Sequence, residues 1–145
     1  MTIRTNEFNV SLTVPAGWAA TEVPGAELAI ELPGEGHRPS LAVFVRPRVA
    51  DETLQDAADR IVGSTSAGLP LSILNVRERP LAGRPGLVAA GVRRHATLGV
   101  VFQTVALCFT DTSLVIVTGL CARDDAPELA GVLRDVSHSL TIEGN

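Results

Sequence analysis

The sequence predicts an α+β fold in which helices cover both faces of a central antiparallel sheet, an α/β/α sandwich. Residues 100–122 form two β-rich segments around the turn-prone pair Asp111-Thr112, and pairing Thr110 with Ser113 leaves both faces of this hairpin mostly apolar. A sheet that is covered on one side only alternates apolar with polar residues, so we expect the hairpin to lie at the centre of the sheet. Two amphipathic segments elsewhere in the chain supply one helix for each face.

The same pairing assigns each side chain of the hairpin to a face. One face carries Val101, Gln103, Val105, Leu107, Phe109, Leu114, Ile116, Thr118 and Leu120. The opposite face carries Phe102, Thr104, Ala106, Cys108, Val115, Val117, Gly119 and Cys121. In this register Cys108 lies opposite Val115 and Cys121 opposite Phe102. The two cysteines therefore share a face without facing each other, and we expect free, buried, structural thiols.

Five further strands are predicted on either side of the first helix. Residues 8–14 alternate apolar with polar side chains, and the turn that follows them leads to Trp18. Residues 27–32 and 40–45 are shorter β-rich runs bounded by proline. Residues 71–82 and 87–97 are expected to pair through a turn at residues 83–86, where glycine accommodates a positive φ.

Both helices have sequence signals at their ends. Asp51 is the expected N-cap of the first helix, with Glu52 in its first turn, and Gly68 is its expected C-terminal glycine. The apolar face of this helix consists of Leu54, Ala57, Ala58, Ile61 and Val62. The second helix is expected to start at Asp125, with Glu128 completing a capping box. Its apolar stripe consists of Leu129, Val132, Leu133, Val136 and Leu140. Residues 140–142 continue this helix or add a short closing strand.

The composition is that of a soluble globular domain. The chain has 145 residues, 46% of them hydrophobic and 19% charged, and no linker divides it, so we expect one domain spanning residues 1–145. The net charge of −4 argues against a general nucleic-acid-binding protein. All twelve basic residues are arginine, which fits a high-GC bacterial genome and excludes chemistry that needs a lysine. The sequence has no apolar run of about 20 residues and no signal-peptide core, so we expect a cytoplasmic protein without a membrane span.

No motif predicts catalysis, a metal site or a cofactor. His37, His95 and His138 are far apart in the sequence and match no metal-ligand spacing. The segment from Gly63 to Gly68 contains serine and glycine but fits neither a nucleophile elbow nor a P-loop. The pair Asp124-Asp125 is explained by helix capping. An enzyme is therefore the least favoured class, and no catalytic residue is assigned.

Three features are candidates for binding. Arg77, Arg79, Arg84, Arg93 and Arg94 cluster around one predicted hairpin, as a basic stripe for an acidic partner or phosphate head groups, or as a solvated face. Trp18 is either a core residue that anchors a turn or an exposed binding anchor. The small residues Ala106, Cys108, Gly119 and Cys121 would let a helix approach closely, either a partner's helix or one from this chain.

Several short motifs carry a resemblance to a known superfamily. Phe8-x-Val-x-Leu-x-Val-Pro-x-Gly-Trp18 resembles the opening of PsbP-like proteins, a superfamily that includes Mog, DcrB-like, LpqN-type and Eag-chaperone proteins. Pro39-Ser-Leu-Ala-Val-Phe44 resembles their third strand, and Arg79-Pro-Leu-Ala-Gly-Arg-Pro-Gly86 resembles their conserved hairpin. Gln103 stands where a glutamine often opens the next strand. The resemblance implies a PsbP-like fold and the binding of proteins, peptides or lipids.

The leading functional hypothesis is a non-enzymatic adaptor or chaperone for a partner protein or an apolar peptide. The alternative is a carrier of a lipid or another small hydrophobic ligand, as the LpqN resemblance implies. We also expect a homodimer, because a sheet that is apolar on both faces would leave uncovered area that two-fold pairing could bury.

Overall fold

In the computed structural model, seven antiparallel strands form one large sheet and three short strands form a second sheet. The structure describes residues 2–4, 10–33, 39–64, 72–95 and 99–142. The strand order is β3-β4-β5-β9-β8-β7-β6 in the large sheet and β1-β2-β10 in the small one. The predicted α+β class with an antiparallel sheet is confirmed, and the small sheet is an addition that the sequence did not predict.

The described residues form ten strands, two α-helices and one 3-10 turn. The strands before α1 are β1 (Thr2–Arg4), β2 (Val10–Thr13), β3 (Ala19–Ala20), β4 (Leu28–Glu31) and β5 (Ser40–Pro47). Helix α1 (Leu54–Ser64) is followed by β6 (Ser72–Glu78), β7 (Gly86–His95), β8 (Gly99–Phe109) and β9 (Ser113–Ala122). A 3-10 turn (Arg123–Asp125) then leads into α2 (Ala126–Ser139), and β10 (Thr141–Ile142) closes the small sheet.

The central hairpin has the predicted register. Cys108 pairs with Val115 and Phe102 with Cys121 across β8 and β9, and the backbone N–H of Thr110 donates to the Ser113 carbonyl at 2.8 Å. Strands β7 and β5 flank this hairpin on its two sides. The hairpin is therefore internal to the sheet, as its two apolar faces predicted.

The two faces of the large sheet are covered by different elements. Helix α1 packs mainly over β7 and β8, whereas α2 packs over β9 and also contacts β2. The core beneath α2 includes β2 residues Val10 and Leu12 and the α2 residues Leu129 and Val136. One face is thus covered by a helix together with the small sheet, and the other by an eleven-residue helix.

Helix α1 begins later than predicted. The helix starts at Leu54, and Thr53 is its N-cap: the Asp56 N–H donates to Thr53 Oγ1 at 3.1 Å, and the Thr53 N–H donates to Asp56 Oδ2 at 3.2 Å. Asp51, the predicted N-cap, has φ +62° and belongs to the preceding turn. The sequence signal at Asp51 was wrong because a second capping box, Thr53-Leu-Gln-Asp56, lies two residues further on.

The ends of the other elements also differ from the predictions in places. Asp125 is the N-cap of α2 as predicted, but its side chain makes no capping hydrogen bond. The turn between β6 and β7 lies at Ala82 and Gly83, with φ +55° and +73°. It therefore begins one residue before the predicted turn at residues 83–86. Residues 141–142 form the closing strand β10. The predicted end of the first helix at Gly68 lies outside the described residues.

Candidate functional site

A partly open surface lies on the face of the large sheet that α1 covers. A helix is about 10 Å across and strands are spaced about 4.8 Å apart, so one helix shields roughly two strands of a sheet. Since α1 lies mainly over β7 and β8, the described residues leave the sheet surface over β5 and β9 partly uncovered. A cleft of about 550 Å³ lies there, the β5 cleft, lined by Phe44, Arg46, Pro47, Arg60, Ile61, Ile116 and Thr118.

The floor of the β5 cleft is apolar because the sheet register brings hydrophobic side chains together. Phe44 pairs with Ile116 across β5 and β9, and both belong to the apolar cluster beneath α1 together with Ile61. Phe44 and Ile61 are only partly buried. Thr118 supplies a hydroxyl group at one side. The cleft can thus accept an apolar side chain or chain of carbons.

Two arginines are the charged residues that line the β5 cleft. The guanidinium of Arg46 lies over the Phe44 ring, 5.1 Å from its centroid. Arg60 is held by Glu52 through two hydrogen bonds of 2.9 Å. That bond lowers the pKa of Glu52 and raises the pKa of Arg60, so both groups remain charged at neutral pH. The mouth of the cleft therefore carries fixed cations next to an apolar floor.

A buried polar side chain, Gln103, lies beside Thr118 on the same face of the sheet. Gln103 Nε2 donates to Thr118 Oγ1 at 3.1 Å, and that hydroxyl donates to the Thr104 carbonyl at 3.2 Å. Gln103 is 7% exposed, and its Oε1 has no hydrogen-bond partner. Burying an amide oxygen without a partner costs free energy, and the same holds for Thr104 Oγ1 on the opposite face of the sheet.

A second cleft, the turn cleft, lies at the other end of α1. It has a volume of about 730 Å³ and lies between the start of α1 and the β6–β7 turn. Leu54 and Leu87 contribute its apolar part, and Arg79 and Arg84 line it together with Glu78. The capping box already occupies two of the N–H groups at the start of the helix, those of Thr53 and Asp56.

The structure separates the residues that the sequence singled out for binding. Arg77 is exposed on the edge strand β6, and Arg79 is exposed at the turn cleft. Arg93 pairs with Val101 through the backbone, and its side chain lies outside the described residues, as do those of all three histidines. Of the five arginines in the predicted basic stripe, the structure therefore describes the side chains of Arg77, Arg79 and Arg84.

The small residues on the other face lie beneath the chain's own helix. Ala106, Cys108 and Cys121 are fully buried in the core under α2. A Cβ at Gly119 would lie 3.0 Å from Leu129 Cδ1, so the helix already uses the close approach that glycine permits. Of the two alternatives, the structure shows the one in which this chain's own helix fills the face. A partner would reach these residues only by displacing α2.

Trp18 and the two thiols also belong to this core. Trp18 is 8% exposed and packs with the α2-side cluster, and its backbone N–H donates to the Pro15 carbonyl at 3.1 Å. Both cysteines are free, as predicted. Burial raises the pKa of each thiol to about 11, so both are protonated and unreactive at neutral pH.

Sequence reasoning missed the β5 cleft because its residues are spread over three elements. Phe44 and Arg46 come from β5, Ile116 and Thr118 from β9, and Ile61 from α1. One signal was available: Phe44 and Arg46 are two residues apart in a strand and must share a face, which places a cation beside an aromatic ring. No group of three or more metal-ligating side chains occurs among the described residues, and none of their helices is long and apolar enough to span a membrane.

Comparison with known proteins identifies the fold. No protein-family model and no curated protein matches the sequence. Among solved structures, cyanobacterial PsbP (CyanoP) from Synechocystis sp. PCC 6803 is similar with a TM-score of 0.71 at 14% identity, over 98% of this chain and 91% of that one. LpqN of Mycobacterium tuberculosis, described as involved in cell envelope biogenesis, has a TM-score of 0.66 at 13% identity, over 98% and 89% of the two chains.

A third similar structure is a point mutant of the protein Mog1, with a TM-score of 0.60 at 15% identity over 98% of this chain and 95% of that one. Identities this low carry information about architecture alone. The resemblance seen in the short sequence motifs and the likeness of the whole chain agree: this chain has the PsbP-like fold.

Proposed function

We propose that this chain is a non-enzymatic binding protein, a small cytoplasmic adaptor or chaperone that holds an apolar segment of a partner protein in the β5 cleft. The observation that carries the proposal is the partly uncovered apolar floor formed by Phe44, Ile61 and Ile116. Apolar floors with a few polar groups at the rim are typical of binding sites. Two free buried thiols are in keeping with a reducing compartment.

The buried amide of Gln103 supports a peptide as the ligand. Its Oε1 is an acceptor without a partner. The Nε2 group of the same amide donates to Thr118, which lines the cleft. The backbone N–H groups of a bound segment are donors, and after a small rearrangement one of them can donate to Gln103 Oε1. An apolar ligand without hydrogen-bond donors would leave Gln103 Oε1 without a partner.

The test starts from peptides rather than from an unknown partner. Random peptides of about twelve residues displayed on phage would be selected on the immobilised protein, and the selected sequences titrated into ¹⁵N-labelled protein. We expect apolar peptides whose binding shifts amide resonances of β5, β9 and α1. Pro47→Trp narrows the mouth of the cleft and should weaken binding about tenfold, a loss of about 1.4 kcal/mol.

Val49→Trp is the matched control. Val49 is 48% exposed and does not line the β5 cleft, so the same bulky side chain there should leave affinity unchanged. The proposal fails if no peptide is selected, if the shifted resonances map to another surface, or if both tryptophan variants weaken binding equally.

A carrier of a lipid or another small hydrophobic ligand is the second candidate. Its support is the size of the β5 cleft, about 550 Å³, which lies within the usual range for small-molecule sites. Native mass spectrometry of the purified protein distinguishes the two. A co-purifying lipid mass, or uptake of an added fatty acid, favours the carrier, and a persistent ligand-free mass rejects it.

The homodimer remains a prediction. Strand β6 is an edge of the large sheet, and Val76 on that strand is 41% exposed. Light scattering at tens of micromolar protein gives the mass that decides between monomer and dimer.

A further inference from the structure

Arg46 is held at the mouth of the β5 cleft by three hydrogen bonds and by a contact with the Phe44 ring. Its Nη1 donates to the Val45 carbonyl at 3.0 Å and to the Gly25 carbonyl at 3.3 Å, and its Nη2 also donates to Gly25 at 3.3 Å. The Phe44 ring supports its face. Gly25 has φ +82°, and a Cβ there would lie 3.3 Å from Nη2, so glycine at this position permits the close approach.

These contacts leave one edge of the guanidinium for a ligand. A guanidinium has five N–H donors, and the three bonds use both donors of Nη1 and one of Nη2. Among the described residues, the hydrogen-bond partners of Arg46 are these two carbonyls, so Nε–H and the second Nη2–H remain. These two donors are parallel and match the spacing of the oxygens of a carboxylate, which binds such an edge through two hydrogen bonds.

Arg60 adds a second positive charge to the same cleft, but the guanidinium edge formed by its Nε and Nη2 groups is already bound to Glu52. Its Nε and Nη2 donate to the two carboxylate oxygens of Glu52. In this ion pair a carboxylate accepts two hydrogen bonds from Nε and Nη2 of a guanidinium. Arg46 can bind the carboxylate of a ligand in the same way. Arg60 keeps three N–H donors, on Nη1 and Nη2, but its charge is already balanced by the Glu52 carboxylate. Among the described residues that line the cleft, Arg46 is the arginine for which no carboxylate partner is found.

We propose that the segment bound in the β5 cleft carries an aspartate or glutamate beside its apolar side chain, and that Arg46 binds this carboxylate and so determines specificity. The inference rests on the proposed function and adds the chemistry of the partner. The apolar side chain occupies the floor over Phe44 and Ile116, and the acidic residue lies at the mouth. Because this site attracts acidic residues and repels basic ones, an apolar segment flanked by lysine or arginine should bind more weakly than one flanked by an acidic residue.

The experiment compares selected peptides with their own charge-neutral variants. In a peptide whose binding maps to the β5 cleft, each acidic residue is changed to its amide, and affinity is measured by calorimetry for wild type, Arg46→Gln and Arg46→Lys. We expect one acidic residue whose replacement weakens binding to wild type about fivefold, the size of a partly exposed charge pair. Arg46→Gln should bind the acidic and amide peptides equally, and Arg46→Lys should keep only part of the preference because it lacks the paired donors.

Arg134→Gln on α2 is the matched control, since Arg134 is exposed on the opposite side of the sheet and its loss leaves the preference unchanged. Amide peptides that bind wild type as tightly as acidic ones, while Pro47→Trp still weakens both, would overturn this inference and leave the proposed function standing. The absence of any cleft-directed peptide would instead remove the proposed function itself. Because the acidic-to-amide change is made on the peptide, the result does not depend on how well an Arg46 variant folds.

Discussion

The two faces of the large sheet are formed by similarly apolar strands, but they are covered to different extents. On the α2 face, the helix and strand β2 together enclose Ala106, Cys108 and Cys121, each with no exposed surface. On the α1 face, the described part of the chain supplies one short helix that covers part of the sheet, and Phe44 and Ile61 are partly exposed beside a cleft. An apolar strand pattern shows that a face must be covered, but the number of covering elements decides whether anything remains for a ligand.

The largest predicted effect compares one leucine on each helix. Leu129 is fully buried under α2, and Leu54 is partly buried under α1. We expect Leu129→Ala to lower the free energy of unfolding by about 3 kcal/mol, since a large-to-small change leaves a cavity in a closed core. Leu54→Ala should cost about 1 kcal/mol, because its exposed part already contacts water. Urea unfolding measures both values, and equal losses would contradict the difference between the two faces.

The next effect concerns the tight contact between α2 and the sheet. Gly119→Val places methyl groups where a single Cβ would already lie 3.0 Å from both Leu129 Cδ1 and Thr104 Oγ1, so we expect a loss of about 2 kcal/mol from overpacking. Gly131→Ala in α2 is the control. A Cβ there meets no atom within 4 Å, and alanine should stabilise the helix by about 0.8 kcal/mol. A neutral result for Gly119→Val in thermal unfolding would mean that α2 is loosely packed.

A smaller effect depends on pH and concerns the α1 face. The hydrogen bond from Arg60 lowers the pKa of Glu52 in the folded chain. The stabilisation from this pair is therefore present above the usual glutamate pKa of about 4.3 and is lost as pH falls through the lower, folded value. We expect the Glu52→Gln variant to lose the decrease in stability that this ion pair causes at acidic pH. The packing of the α2 face should change little. The check is a series of urea midpoints between about pH 3 and pH 7, in which identical curves for the two proteins would count against the pair.

The sequence predicted the parts of the fold that depend on local pattern. The alternation in residues 100–122 was sufficient to predict the register of β8 and β9. The spacing of Leu129, Val132 and Val136 was sufficient to predict the buried stripe of α2. Strands β1 and β3 were not predicted, and β10 was one of two alternatives, since these strands have two or three residues each and exist through pairing with other segments. The start of α1 was misplaced because Asp51 and Thr53 both resemble N-caps, and only the backbone conformation distinguishes them.

The candidate site could be predicted only in part, for a physical reason. Free thiols and a buried tryptophan follow from local composition and the hairpin register. The β5 cleft depends on how far α1 extends across the sheet, and neither the helix position nor its angle is encoded in a local pattern. For the same reason the small residues from Ala106 to Cys121 gave two open alternatives: a face that invites close helix packing looks the same whether the helix belongs to the chain or to a partner.

The central claim, that the α1 face is open over β9 while the α2 face is closed, is tested most directly by thiol labelling. Thr118→Cys places a thiol in the β5 cleft, on the same strand as the buried Cys121. With a chromogenic disulfide reagent at pH 8, the account predicts no rapidly reacting thiol in the wild-type protein and one in the variant, because burial raises the pKa of both native cysteines to about 11. Rapid reaction of Cys108 or Cys121 in the wild type, or a Thr118→Cys thiol as slow as the native ones, would contradict it.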